Sequence, residues 1–581
     1  MKLRLLPLTV LAGAGCSTLH APVRDSGASP RGIREDALRA HIAELSSDRY
    51  EGRGPGTPGE QLTVDYLRGR FQALGLEPGN PDGSWVQEVP MVAIRSSPTV
   101  GFVHGEERIA LTAPAECVVF SRRLAPQGQA SFDVDVKADE VLFVGYGIEA
   151  PQYRWNDYKD VDVRGKLLIM LVNDPPVPDP RDPAALDENV FGGKAMTLYG
   201  RWTYKYEIAA KKKAAGVLLV HEDAAAGYPF GVVQASWGRE NFDLAEPPDP
   251  ANPRRAAVEG WIRNDKAKEL FKAAGLDFEQ LKASAAKREF QPVALKDFKA
   301  ELHVHNEQRE VRSRNVIARL PGRDPARRGE YVVYSAHWDH LGMDPALPEQ
   351  DKIYHGAVDN ASGVAGLLEI AALFADPKAS ASPRSILFLT TTAEEKGLLG
   401  AGWYVEHPLY PLEQTLCDIN IDGLNPFGRT RDLVSIGLGQ TNLDATLDEL
   451  VQRKGRVLRG DSEPEKGYYY RSDHYEFASH GVPAVYADSG EELIGAPAGE
   501  GRRKREEYTR LRYHKPADRL DEDWNLEGAA EDLELLYELG REVSRSETWP
   551  AWRPSSEFRP LRAPRAAAQT APKQAPQQAR P

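Results

Sequence analysis

Cysteine is scarce in this chain, which has three cysteines among its 581 residues. Two of them, Cys117 and Cys417, lie in regions that the sequence assigns to different domains, which argues against a disulfide framework. Positively charged residues are also outnumbered: the chain has 73 Lys and Arg and 86 Asp and Glu, which gives a net charge of −13. Nucleic-acid binding needs clustered cations that displace counterions, so we expect no nucleic-acid partner.

The first residues of the chain carry an apolar run behind a short basic start. Lys2 and Arg4 are followed by an apolar stretch and then by small residues up to Cys16, which is typical of a secretory signal too short to span a bilayer permanently. The end of this stretch resembles the cleavage site of bacterial lipoproteins, although Gly13 stands where such sites usually carry Leu. We predict an exported protein, anchored in the bacterial cell envelope by lipidation of Cys16, with simple secretion as the alternative. No later stretch is expected to cross a membrane.

Composition and periodicity divide the chain into several parts, as its length exceeds what one core can serve. The predicted parts are a lipoprotein-type signal peptide (1–16), a linker rich in Gly, Pro and Ser (17–32), the first part of a catalytic domain (33–88), an inserted domain (89–310), the main catalytic part (311–548) and a tail (549–581). The tail becomes almost entirely Ala, Pro, Gln, Arg and Lys from Arg562 onward. Such a composition cannot offset chain entropy, so disorder is predicted there.

Strand-like and helix-like patterns alternate after Val311, with predicted strands at 331–335 and 386–391 on either side of a predicted helix at 362–374. This alternation predicts an α/β domain whose mostly parallel sheet is flanked by helices. Strand-like runs dominate residues 89–310, and they predict a β-rich α/β inserted domain. None of the metal-ligand candidates falls in that insertion, so we expect it to be a separate, non-catalytic unit.

Histidines and carboxylates follow several of the predicted strands. They are His337 with Asp339, Glu394 with Glu395, and Asp422, joined by Asp359 before a helix and His514 in a loop. In open sheets of this class, sites gather beyond the carboxyl ends of the strands. Two imidazoles and several carboxylates suit borderline-soft divalent ions, which accept both nitrogen and oxygen. The set predicts a hydrolase that holds two Zn²⁺ per chain.

Spacing assigns a supporting role to Asp339. It follows His337 by two residues, so both side chains share a face in an extended segment. We expect Asp339 to orient the imidazole rather than bind metal. His340 would then point to the opposite face, and it is left without a role.

The remaining candidates divide the catalytic work. Asp359 suits a bridge between two cations, which need shared negative charge between them. Glu394 and Glu395 are adjacent, so one can bind metal while the other acts as the general base on water. Tyr513, next to His514, can donate a hydrogen bond to an oxyanion.

One aromatic stretch, residues 468–474, is a candidate part of the substrate pocket. Tyr470 and Asp473 are its candidate substrate-binding residues. A packed aromatic loop is the alternative.

These segments resemble the zinc-dependent M28 peptidases, which include bacterial aminopeptidases, the glutamate carboxypeptidases and the inactive related domain of the transferrin receptor. The resemblance spans residues 33 to about 544. It implies that His337, Asp359, Glu395, Asp422 and His514 are the metal ligands, that Asp359 is the bridge and Glu394 the base, and that the Asp359–Asn360 peptide bond is cis. The insertion, with Gly145-Tyr146-Gly147-Ile148, resembles a protease-associated (PA) domain.

The resemblance implies an exopeptidase that acts on peptide or protein substrates, and an aminopeptidase is the leading hypothesis. In it, water held between two metal ions gives its proton to Glu394, and Tyr513 stabilises the oxyanion. The alternatives are a carboxypeptidase or dipeptidase of the same fold, a receptor-like binding protein and a one-zinc glutaminyl cyclase. A receptor-like protein would have lost ligands or base, all of which are present, and a cyclase would not usually carry a PA insertion. The sequence leaves substrate preference and oligomeric state open.

Overall fold

The computed structural model describes residues 32–246, 255–348, 350–379 and 381–562. The predicted signal peptide, the lipidation site Cys16, most of the predicted linker and residues 563–581 lie outside these ranges. The α-helices are α1 Glu35–Leu45, α2 Pro58–Ala73, α3 Trp202–Lys211, α4 Asp223–Ala226, α5 Phe230–Trp237, α6 Asn264–Ala273, α7 Phe278–Ala285, α8 Gly363–Ala375, α9 Leu399–Glu406, α10 Leu443–Arg453, α11 His474–Ser479, α12 Glu500–Leu511 and α13 Glu527–Arg545.

The strands form two large sheets and two short ribbons. They are β1 Glu77–Pro78, β2 Val86–His104, β3 Glu107–Leu111, β4 Cys117–Phe120, β5 Ser131–Ala138, β6 Val141–Phe143, β7 Glu149–Ala150, β8 Trp155–Asn156, β9 Leu167–Leu171, β10 Pro178–Asp179, β11 Asp182–Leu186, β12 Gly216–His221, β13 Glu240–Leu244, β14 Val258–Arg263, β15 Val293–Ala294, β16 Phe298–Leu320, β17 Tyr331–His337, β18 Ser385–Thr391, β19 Thr415–Asn420, β20 Asp432–Ile436, β21 Val457–Gly460 and β22 Ala484–Ser489.

The larger sheet carries the catalytic candidates. Its order is β13-β2-β16-β18-β17-β19-β22-β20-β21, and the four neighbours β18, β17, β19 and β22 run parallel. Every residue of β17 and β18 is buried, as expected of parallel strands covered on both faces. Val332 and Tyr334 pack in a core with α1, α2, α8, α10 and α13, whereas Tyr331 and Val333 pack on the other face against α9 and α11. The predicted α/β class is confirmed.

Helix α8, which follows the loop that carries Asp359, is the most apolar helix in the described structure. Residues 357–375 are long and apolar enough to cross a membrane, with a mean hydropathy of 1.3, contrary to the expectation that no later stretch would be. However, 78% of its most apolar 18-residue stretch is buried inside the protein. Here α8 lies against the sheet, α1 and α13, and its composition reflects that core position.

A second sheet lies within the predicted insertion. Its order is β15-β6-β9-β12-β14-β4, with β6, β9, β12 and β14 parallel. Side chains of β9 alternate between two hydrophobic cores, one on each face: Ile169 belongs to one and Met170 to the other. Cys117 lies in this sheet and Cys417 in the larger one, and both are buried and free.

The predicted limits of the insertion, residues 89 and 310, fall inside continuous strands. The 19-residue β2 pairs antiparallel with β16 from Val86 to His104. The residues between its apolar stretches 91–94 and 100–103 are mostly polar. Backbone pairing does not need apolar side chains, so the strand continues. Its far half, with Val100 and Phe102, packs in one core with β9 of the second sheet.

The predicted tail needs a similar correction, because residues 549–562 are folded. The indole of Trp552 is 7% exposed and donates to the carbonyl of Gly481 at 2.9 Å. Phe558 is buried, with its ring centroid 5.6 Å from that of Tyr469. These aromatic side chains supply the buried apolar surface that the composition beyond Arg562 lacks.

Candidate active site

Neighbouring parallel strands bring the first candidates together at their carboxyl ends. β17 ends at His337 and lies between β18, which leads into Glu394, and β19, which leads into Asp422. The Nε2 atom of His337 is 3.1 Å from Oδ1 of Asp422 and 4.0 Å from Oε2 of Glu394. Strand order and strand polarity therefore assemble this half of the site.

Asp359 divides its carboxylate between two histidines. Its Oδ1 is 3.4 Å from Nε2 of His337, and its Oδ2 is 3.2 Å from Nε2 of His514. The same nitrogen of His514 is 3.0 Å from Oε2 of Glu395. The five predicted ligands thus form two sets that share Asp359, one with His337 and Asp422 and one with His514 and Glu395.

Two side chains fix the loop that carries Asp359. The carboxylate of Asp518 accepts hydrogen bonds from the backbone N–H groups of Val358 and Asp359, both at 3.1 Å. The amide of Asn360 accepts from the N–H of Gly423 at 2.9 Å and donates to the carbonyl of Ile421 at 3.1 Å. The Asp359–Asn360 peptide bond is cis, as the resemblance implied. This loop is thereby joined to the segment that bears Asp422.

Asp339 supports His337 mainly through its main chain. The carbonyl oxygen of Asp339 lies 3.2 Å from Nδ1 of His337, while its carboxylate is 3.8 Å from that nitrogen. Nδ1 donates to this carbonyl when Nε2 faces the other ligands. The carboxylate accepts from the N–H of Glu394 at 3.1 Å, and burial raises the pKa of Asp339 to about 8.

His340, left without a role by the sequence, lies inside the cluster. Its Nδ1 is 2.6 Å from Oε1 of Glu395 and 3.9 Å from Oδ2 of Asp359. The alternation argument failed because β17 ends at His337, and side chains beyond a strand's end no longer alternate between faces. Glu395 therefore lies between His340 and His514.

The site concentrates buried negative charge. Burial raises the pKa of Glu394 well above its usual range, and the neighbouring carboxylates of Asp422, Glu395 and Asp473 act in the same direction. Burial alone would also raise the pKa of Asp359, but contacts with His337 and His514 hold it well below its usual range. These carboxylates can all be charged together only beside cations.

The spacing of the donor atoms fits zinc. Ligand atoms about 2.0–2.2 Å from a tetrahedral Zn²⁺ lie about 3.3–3.6 Å from each other, close to the 3.0–3.4 Å separations around His337 and His514. Among the described residues, two further groupings keep their donor atoms within 4.8 Å of one another: His337, Glu394 and Asp422, and His340, Asp359 and Glu395. The donor set of imidazoles and carboxylates is one that suits zinc.

Two cavities meet at Glu394 and Tyr513, which line both. The first, of about 220 Å³, reaches His337, Asp359 and Asp422. The second, of about 150 Å³, lies on the side of Glu395 and His514 and is lined on its far wall by residues of the insertion. The ring of Tyr513 stacks on His514 with centroids 3.9 Å apart. A peptide bound next to Glu394 would therefore have space on both sides of that residue.

The two predicted substrate-binding residues differ in position. Tyr470 lines the second cavity and donates through its hydroxyl to Glu557 at 2.5 Å. Asp473 is fully buried, lines neither cavity and accepts a hydrogen bond from the hydroxyl of Thr391. This burial beneath the site is incompatible with the predicted contact between Asp473 and substrate.

Sequence reasoning missed Arg53, which holds the site loops from behind. Its guanidinium is 1% exposed and donates to four backbone carbonyls at 2.7–2.9 Å. They belong to Leu45, Trp338, His355 and Gly356. Trp338 adjoins His337, and Gly356 precedes the loop of Asp359. The signal in the sequence was a single Arg in a glycine-rich connector between α1 and α2.

Comparison with known proteins supports the assignment of class. Residues 315–537 match the model of Peptidase family M28. That stretch contains every predicted metal ligand and the predicted base. The mouse protein named Aminopeptidase NAALADL1 is 37% identical over 124 residues, which are 20% of this chain and 15% of the mouse protein.

Other similar proteins carry zinc in their names. A probable zinc metalloprotease of Pyrenophora teres f. teres is 42% identical over 87 residues, 15% of this chain and 17% of that protein. The chain thus matches less than a fifth of the length of these curated relatives. Among solved structures, an aminopeptidase from Aneurinibacillus sp. strain AM-1 has 19% identity and a TM-score of 0.48 over 90% of this chain and 95% of its own. BSAP, a zinc aminopeptidase from Bacillus subtilis, has 16% identity and a TM-score of 0.44 over 91% and 97%.

Replacement of Arg53 by Met should destabilise the protein strongly. It leaves four buried carbonyls without their donor, and one unsatisfied buried polar group costs about 1–3 kcal/mol. We expect the free energy of unfolding, measured by urea denaturation, to fall by at least about 3 kcal/mol. Arg49→Met is the matched control, because Arg49 is 65% exposed and forms one surface ion pair with Glu44, worth about 0.2–1 kcal/mol. Equal losses in the two variants would contradict the structural role of Arg53.

Proposed function

We propose that the protein is an exported, zinc-dependent exopeptidase, and that it acts as an aminopeptidase on N-terminal peptide bonds. The observation that carries the proposal is the carboxylate of Asp359, with one oxygen directed to His337 and the other to His514. Among the described residues that line both cavities, Glu394 is the one carboxylate, and the ligand assignment leaves it free. The match of residues 315–537 to Peptidase family M28 supports this reading.

Each residue has a defined task in this proposal. Zinc ions held by the two sets would polarise the scissile carbonyl and acidify water beside it. The carboxylate of Glu394 accepts the proton of the attacking water and passes it to the leaving nitrogen. The phenol of Tyr513 donates a hydrogen bond to the carbonyl oxygen as that atom gains negative charge.

The charge of the site favours a free amino terminus. Asp422 and Glu394 both line the first cavity, and carboxylates attract the ammonium group of an unblocked substrate. A carboxypeptidase or dipeptidase is the second candidate, because Arg471 lines both cavities and is a possible partner for a substrate carboxylate. Retention of all ligands and of the base speaks against a receptor-like binding protein.

The proposal includes the rest of the chain. We infer that residues 89–310 form a PA domain, supported by their separate parallel sheet with a core on each face. We infer export and lipid anchoring from the signal-like start and Cys16. Peptides or proteins are the substrates, and two Zn²⁺ per chain are the cofactors.

Substitution of the adjacent glutamates should separate catalysis from metal binding. Glu394→Gln keeps the ligand sets, so zinc content should equal that of the parent while kcat falls by roughly 10²–10⁴-fold, the usual contribution of a positioned base. Glu395→Gln replaces a charged ligand by a neutral amide, so it should weaken one zinc, and added zinc should restore part of the activity. Zinc analysis is performed beside steady-state kinetics on both variants. Zinc loss in Glu394→Gln but not in Glu395→Gln would reverse the assignments.

Substrate screening should distinguish the exopeptidase classes. Aminoacyl amides with a free amine should be cleaved by the zinc-loaded protein, and their N-acetylated counterparts should be cleaved at least about 100-fold more slowly, because blocking removes the ammonium group. Dipeptides are compared with the corresponding dipeptide amides to test for recognition of a substrate carboxylate. Cleavage of blocked peptides alone would exclude an aminopeptidase.

Anchoring can be tested independently of activity. Cys16→Ala removes the thiol that would carry the lipid, and membrane affinity rests on burial of acyl chains. We expect this variant to shift to the soluble fraction or to remain unprocessed, as followed by fractionation and immunoblotting in a bacterial host. The parent and a Cys117→Ala control should stay with the membrane. Equal partition of the Cys16→Ala protein and the parent would contradict lipidation.

A further inference from the structure

We propose that Ser236, in the insertion, is a positioning residue for the zinc site at His514, an inference that rests on the proposed function. The Oγ atom of Ser236 lies 3.2 Å from Nδ1 of His514. Nε2 of the same ring is directed to Asp359 and Glu395, at 3.2 and 3.0 Å. When Nε2 binds the metal, Nδ1 carries the ring proton. Nδ1 then donates a hydrogen bond to the hydroxyl oxygen of Ser236.

The two histidines of the site are supported by different parts of the chain. His337 is held by the carbonyl of Asp339, two residues away in the same segment. His514 follows α12, its backbone φ is +54°, and it is partly exposed. The partner of its Nδ1 atom, Ser236, lies 278 positions earlier in the sequence. One half of the metal site therefore depends on the insertion, and the other half does not.

Packing holds Ser236 at the end of α5. The next residue, Trp237, stacks on Phe120 at 5.4 Å between centroids and meets Trp202 edge to face at 4.9 Å. The buried side chain of Lys396 donates to the carbonyl of Ser236 at 3.4 Å. Ser236 itself is 5% exposed. The hydroxyl is thus fixed by the core of the insertion on one side and by the catalytic domain on the other.

A second contact ties the same segment to the loop before Asp359. Arg239 forms an ion pair with Asp344 at 2.9 Å and donates to the hydroxyl of Tyr354 at 2.5 Å. Tyr354 precedes the turn that bears Asp359. These contacts set the distance between α5 and the metal ligands, so the insertion acts on ligand geometry and not only on the shape of the cleft.

The inference is tested by the zinc affinity of Ser236→Ala, measured by competition with a chelator. Partners in the outer shell of a metal site typically contribute 10–100-fold to metal affinity. We expect one of the two zinc ions to bind about 10-fold or more weakly and the other to be unchanged. Ser236→Thr retains the hydroxyl and should restore the affinity. Ser284→Ala is the control, because it removes another serine hydroxyl bond within the insertion, to Leu281, without changing the site.

Thermal unfolding with and without zinc separates positioning from packing. A positioning role predicts that Ser236→Ala reduces the rise in Tm produced by zinc. A packing role predicts that Tm falls equally in the zinc-free and zinc-loaded proteins, and with unchanged zinc affinity that result would overturn the inference while leaving the proposed function intact. Failure of the parent protein to bind zinc would overturn both.

Discussion

The position of one carboxylate, that of Asp359, constrains the rest of the site. Its two oxygens face two imidazoles that come from distant parts of the catalytic segment, so both distances depend on where this one side chain is held. The protein meets this demand with backbone contacts rather than with packing alone. Asp518 fixes the N–H groups before the carboxylate, and Asn360 fixes the residues after it to the Asp422 loop.

Accumulated charge explains why so much structure surrounds these few residues. Carboxylates crowded at the ends of buried strands repel each other and lose hydration, both of which oppose the folded state. The opposing contribution comes from the sheet, whose parallel strands are buried on both faces between two hydrophobic cores. A stable core thus holds an arrangement of like charges whose repulsion is relieved when cations bind.

The local sequence pattern predicted those features that depend on residues close together in the chain. The alternation after residue 311 predicted the helices and the parallel strands, and strand ends predicted the grouping of His337, Glu394 and Asp422. Contacts between distant segments could not be predicted in this way. Arg53 and Ser236 belong to segments whose sequence shows no catalytic pattern. His340 was misjudged because the strand ends at His337, before the alternation of faces could reach His340. Asp473 was misjudged because the sequence does not reveal how deeply a residue is buried. Residues 549–562 are held by contacts with distant residues, such as those of Trp552 with Gly481 and of Phe558 with Tyr469, which their own sequence does not reveal.

The contacts of Arg53 make the site loops depend on a segment outside the stretch that matches the peptidase family. The stretch that matches the peptidase family begins at residue 315, yet the guanidinium that binds the carbonyls flanking its first ligands comes from the segment before the insertion. The paired strands β2 and β16, both part of the larger sheet, connect the insertion to the segments on either side of it. The N-terminal segment is therefore not an accessory that could be exchanged as a module: a chain cut at residue 315 would keep the ligands but lose the side chain that aligns their loops.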